Sequence, residues 1–89
     1  MDLFNREIKA KLGDLMQRAK VFGLPENDLA NAQEMFEQNE FEGCFDVVAT
    51  QLYEWDISID QEFFELSNEI TTIFGIGHDQ YSFLTKLIR

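Results

Sequence analysis

The stretch FNREIKAKLGDLMQRAKVFG, residues 4–23, decides the fold class. Its apolar residues Phe4, Ile8, Leu12, Leu15, Ala19 and Phe22 lie four, four, three, four and three positions apart. That is the spacing of one face of an α-helix, not the alternation of a half-buried strand. Gly23 follows, the residue type that most readily takes the left-handed conformation ending a helix, and Asp2 stands where a side-chain cap would begin one. The spacing predicts a helix over 3–22.

Working outward, Leu24 is pushed to an extended conformation by Pro25, and Pro25 suits the first turn of a second helix, with Glu26 and Asp28 favourable near its positive end. That helix runs to about Gln38 with Leu29, Ala32, Met35 and Phe36 inward, and Asn39 and Glu40 form a tight connection. Phe41, Cys44, Phe45, Val48 and Leu52 then mark a third helix over 41–54, its first turn weakened by Gly43. The alternation of Asp56, Ile57, Ser58 and Ile59 reads as a short extended link with both isoleucines beneath the bundle. Either Ser58 or Asp60 can cap a fourth helix, Ser58 with Gln61 as a capping-box partner. Phe63, Leu66, Ile70, Ile73 and Phe74 form its buried stripe, and Gly75 ends it. A last helix over 79–88 would bury Tyr81, Leu84 and Leu87 or Ile88, with Lys86 and Arg89 at its negative end. The expectation is all-α: a compact single-domain bundle of four to five short helices over 1–89, without internal repeats.

Composition agrees with one small folded unit. The chain has 89 residues, 45% of them apolar and nine of them Phe. Scaling of surface with mass predicts roughly 5,400 Å² of exposed area once folded. Seventeen acids against seven bases leave a net charge of -10, the wrong sign for holding phosphates or an anionic membrane face, so direct nucleic-acid or membrane binding is not expected. A single cysteine makes no internal disulfide, residues 1–25 lack the apolar core of a secretory signal, and no run approaches a membrane span. These features predict a cytoplasmic protein, with a monomer favoured.

The charges are unevenly spread along the chain. All seven bases lie near the ends, at Arg6, Lys9, Lys11, Arg18, Lys20, Lys86 and Arg89, while residues 26–69 hold thirteen acids and no base. Opposite charges four apart on a helix stabilise it by about 0.2–0.5 kcal/mol and like charges cost a similar amount, so solubility alone would favour interleaving. Glu62, Glu65 and Glu69 line one side of the fourth helix; Glu42, Asp46 and Tyr53 line one side of the third; Glu54, Trp55 and Asp56 stand at the third helix's end. Two acidic ridges lying side by side, with Tyr53 or Trp55 as an aromatic anchor, would speed encounter with a basic partner. The plainer readings are acidity for solubility and half-buried rings that pack while their polar tips reach water.

Signals for catalysis or metal binding are weak. Cys44 lies on an apolar stripe with no base to ionise it and reads as a structural thiol. His78, the only histidine, reads as a cap or turn residue, and one His with one Cys falls short of a zinc site. Asp56, Ser58, Asp60 and Glu62 resemble the start of a calcium-binding loop, yet Gln61 stands where that loop needs Gly and Ser67 where it needs a bidentate Glu. No glycine-rich phosphate loop is present. Neither a cofactor, a metal nor catalytic residues are expected.

Residues 39–66 resemble a known family. Asn39, Glu40 and Phe41, the run Gln51, Leu52, Tyr53, Glu54, Trp55, Asp56, Ile57, Ser58 and Ile59, and then Phe63, Glu65 and Leu66 are similar to the small all-helical MafI immunity proteins, which include relatives encoded beside contact-dependent growth-inhibition toxins. The resemblance implies a non-enzymatic cytoplasmic antidote that binds and neutralises a cognate toxin domain, in several cases a nuclease of the EndoU type. It carries no toxin-contact residues with it. The candidate contacts Glu42, Asp46, Tyr53, Glu54, Trp55, Asp56, Glu62, Glu65 and Glu69 come from the charge pattern, for which the runner-up reading is an acidic adaptor or a nucleic-acid mimic occupying another basic protein.

Overall fold

The apolar spacings become four α-helices and a 3-10 segment in the computed structural model, which describes residues 3–89: α1 (Leu3–Phe22), α2 (Glu26–Glu37), α3 (Phe41–Glu54), α4 (Gln61–Phe74) and the 3-10 segment His78–Leu87. The Asp2 cap expected for α1 lies outside the described residues, as does the side chain of His78.

All four α-helices close in the same way. A residue with positive φ follows each one: Gly23 (112°), Asn39 (61°), Asp56 (52°) and Gly75 (74°). The next amide donates back to a carbonyl five residues earlier, Leu24 to Ala19 at 3.0 Å, Glu40 to Met35 at 2.9 Å, Ile57 to Leu52 at 3.0 Å and Ile76 to Thr71 at 2.9 Å. Asn and Asp are the residues after Gly that best tolerate the left-handed region, which is why positions 39 and 56 serve as well as the glycines.

The principal helix pairs are α2 with α3 and α1 with α4. α1 also packs on α3, and the 3-10 segment packs on both α3 and α4. The core between these layers holds Ile8, Leu12, Leu15, Phe45, Leu52, Phe63, Ile70 and Leu84, each at most 1% exposed. The Phe45 ring meets Tyr81 edge-on at 4.8 Å and Phe74 at 6.4 Å, tying α3 to the 3-10 segment and to α4. Gly43 leaves room for the Met35 thioether of α2: a Cβ there would meet Met35 Cε at 3.0 Å and Sδ at 3.2 Å, and that flexible side chain would have to shift. The folded surface, 5227 Å², is near the value that mass scaling predicts.

Three local expectations need correction. The last element is 3-10 and not α, broken at Tyr81 (φ -119°, ψ 24°); Tyr81, Leu84 and Leu87 are buried as expected. Its end is held by the α3–α4 link, with Ile59 donating to Leu87 O at 2.8 Å and Arg89 donating to Ile59 O at 3.3 Å. Of the two cap candidates for α4, Asp60 takes the role, its Oδ1 accepting from the Phe63 amide at 2.8 Å. The buried face of α4 is Phe63, Ser67, Ile70 and Thr71, with Leu66 and Ile73 at its flanks. Ser67 and Thr71 can be buried because their hydroxyls donate to the helix's own carbonyls, Phe63 O and Asn68 O, each at 3.0 Å. Phe4, expected inward, is 47% exposed.

Candidate functional site

The fold changes how the charges read. α1 carries five of the seven bases, and packing it on α4 sets two of them, Lys11 and Arg18, against the acids of that helix. Lys11 Nζ donates to Glu69 Oε1 at 2.6 Å, and Arg18 reaches Asp14 at 3.1 Å and Glu62 at 3.4 Å. The hydrogen bond to Glu69 raises the Lys11 pKa above its usual value, and the bond to Asp14 does the same for Arg18. Glu65 accepts from Gln61 at 3.3 Å and lines one depression with Lys11 and Arg18. The ridge of Glu62, Glu65 and Glu69 therefore borders the cations of α1. α3 and α4 meet through the Phe45 and Phe74 rings, with the 3-10 segment packed against both.

What remains uncompensated is the α2–α3 hairpin. α1 and α4 together hold five acids (Glu7, Asp14, Glu62, Glu65, Glu69) and five bases (Arg6, Lys9, Lys11, Arg18, Lys20). Residues 26–54 hold eight acids (Glu26, Asp28, Glu34, Glu37, Glu40, Glu42, Asp46, Glu54) and no base. Eight of the ten net negative charges thus belong to this hairpin. Glu34, Glu37, Glu40, Glu42 and Glu54 are all exposed, and none forms an ion pair among the described residues.

Two predicted contact residues serve the fold. Asp46 Oδ1 accepts the Tyr81 hydroxyl at 2.9 Å, which fixes the 3-10 segment to α3; burial, with the Asp46 bond adding to it, pushes the Tyr81 pKa up to about 12. Asp56 binds the Arg89 guanidinium through its carboxylate and accepts a second bond from Arg89 at its carbonyl at 3.4 Å, so it staples the link to the chain's last residue.

The two aromatic candidates point to different neighbours. Tyr53 stacks edge-on with Phe83 at 5.1 Å, on the side of α3 facing the 3-10 segment. Trp55 lies on the α2 side, 59% exposed, with its indole N–H donating to Asp28 Oδ2 at 3.0 Å. Gln51 Nε2 donates to Asp28 Oδ1 at 2.8 Å. Asp28 is only 9% exposed, so a buried carboxylate in the first turn of α2 holds an exposed ring on α3. Thr50, Gln51, Glu54 and Trp55 line an open depression of about 480 Å³ there. Sequence reasoning missed Asp28. Its signal was available: Asp28, Ala32 and Met35 share one helical face, so the acid sits on the inward stripe and needs polar partners.

A groove of about 620 Å³ runs between α1 and α2 over Met16, Leu29 and Phe36, with Lys20 and Glu26 among its lining residues. Cys44 is fully buried, its thiol pushed up to about 11 by burial, with Sγ 3.8 Å from Met16 Sδ. Among the described residues no group of three His, Cys, Asp or Glu is placed to hold a metal ion, and no helix is long and apolar enough to cross a membrane. No family model, curated protein or solved structure matches this chain.

Proposed function

We propose that this chain is an immunity protein that neutralises a basic toxin domain by covering it with the α2–α3 hairpin. One observation carries the reading: eight uncompensated acids on a single helical hairpin, in a molecule whose α1–α4 half balances to zero. Such a field raises encounter rates with a cationic surface and suits a protein that must reach its target before the target acts. The resemblance across residues 39–66 to the MafI family supports a toxin as that surface, and an EndoU-type ribonuclease is the nearest fit, since an enzyme that holds phosphates presents cations. In this reading the protein acts in the cytoplasm as a monomer, without cofactor or catalysis of its own.

The test is co-expression with the product of the adjacent open reading frame, followed by pull-down and a growth assay. We expect capture of that product and rescue of growth. Glu34→Lys, Glu37→Lys and Glu42→Lys combined should slow association by about tenfold or more at low salt, the effect shrinking as salt rises. Unchanged association would remove the hairpin from the interface. Capture of an unrelated basic protein, with no toxin gene alongside, would turn the reading into that of an acidic adaptor.

A further inference from the structure

We infer that Trp55, oriented by Asp28, is a preformed platform for an arginine side chain of the partner. The inference rests on the hairpin reading above and adds to it a recognition chemistry and a place. The Trp55 ring is 59% exposed, yet its N–H bond holds it in place instead of letting it turn freely. Its N–H is bonded to a carboxylate that is itself nearly buried and that also receives Gln51.

The geometry suits a planar cation for three reasons. Donation of the indole N–H to an anion enriches the ring's π face, which strengthens attraction for a cation above it. The depression beside the ring, lined also by Thr50, Gln51 and Glu54, leaves room for a side chain, and Glu54 offers a carboxylate on its edge. Of the side chains that line the depression only Glu54 is charged, so it is the charged acceptor at the edge. A guanidinium can stack on the ring and hydrogen-bond in its own plane to Glu54 together, whereas an ammonium is a strongly hydrated point charge that gains less from stacking. Asp28 is a positioning residue here: it meets the ring edge and leaves the face to the partner.

Trp55 is the only tryptophan, so its emission reports the site directly. The probes are two short peptides of equal charge, one of arginines and one of lysines, titrated into the full chain. The arginine peptide should shift Trp55 emission saturably and bind several-fold more tightly than the lysine peptide. Trp55→Ala should weaken arginine-peptide binding, read by calorimetry, roughly 5- to 30-fold while leaving lysine-peptide binding nearly unchanged. Asp28→Asn keeps the ring but weakens its anchor; it should lower the Trp55 emission anisotropy and erase most of the preference for arginine. Equal affinities for the two peptides, or full arginine binding by Trp55→Ala, overturn the inference. If the charge-reversed Glu34, Glu37 and Glu42 variant loses binding of both peptides while Trp55→Ala loses none, the acidic hairpin stands and the platform does not. If the toxin pull-down fails while arginine selectivity holds, the platform stands and the choice of partner does not.

Discussion

The α1–α4 pair and the α2–α3 pair are built alike, two antiparallel helices each, and differ in charge. In the first, Lys11 meets Glu69 and Arg18 meets Glu62 across the seam, and acids and bases are equal in number. In the second, residues 26–54 hold eight acids and no base, and all of the acids but the buried Asp28 are exposed. The first pair shows that this fold accommodates cross-helix ion pairs, at Lys11 and Arg18. The acidity of the second is therefore a property of its sequence and not a constraint of the architecture, and three measurements can break or sharpen that contrast.

The largest effect comes from forcing charge into the uncharged interior that joins the two pairs. Cys44 lies there, its thiol raised by burial from 9.0 to about 11, and Tyr81 is raised, first by burial, from 10.0 to about 12. Below pH 9 both groups are neutral in the folded and the unfolded chain, and their contribution is complete. As pH climbs from 9 to 11 the unfolded thiol ionises while the folded one does not, so up to about 2–3 kcal/mol of stability is lost, with the phenol adding to the loss between pH 10 and 12. Thermal melts should be flat from pH 7 to 9 and fall above that. Cys44→Ala should remove the decline between pH 9 and 10 and lessen it from there to pH 11, leaving the phenol's fall between pH 10 and 12; a variant that melts in parallel with the wild type would show that the thiol is not shielded.

A smaller effect tests the compensated pair. Lys11→Met removes the bond to Glu69, and because both side chains are partly solvated the loss should be only about 0.2–1 kcal/mol. Salt should reduce the difference between the variant and the wild type, since the pair it removes is one that ions screen. A loss that stayed the same in high salt would mean that Lys11 works through its aliphatic stem packed between the helices.

Much of this contrast was hidden in the linear order. Helical periodicity fixed α1, α2, α3 and α4 to within a residue or two, because burial of one stripe is a local property. The glycine ends at 23 and 75 were equally legible, whereas Asn39 and Asp56 take the same left-handed role with no glycine to announce it. The 3-10 geometry of the last element is set by tertiary contacts, Tyr81 to Asp46 and Leu87 to Ile59, which no periodicity encodes. The charge map was misread for one physical reason: residues 26–69 are free of bases along the chain, but α4 folds against α1 and acquires them in space. Glu62 and Glu69 looked like part of an open field and are partners in a seam.

The smallest effect discriminates most sharply between solubility and recognition as the reason for the acidic hairpin. Glu34 and Glu37 lie three apart on the exposed side of α2, so they repel one another. Glu34→Lys converts that repulsion into an attraction and adds a cation toward the negative end of the helix, which should stabilise the free protein by a few tenths of a kcal/mol. A residue kept only for solubility would be indifferent to that change, because the net charge stays far from zero. A residue kept for binding should show the opposite signs together: a slightly higher melting temperature in low salt, with the gain shrinking as salt rises, and slower association with a basic partner. If the variant were both more stable and equally fast to bind, the hairpin's acidity would have no part in recognition, and the search for the interface would move to the α1–α2 groove over Met16, Leu29 and Phe36.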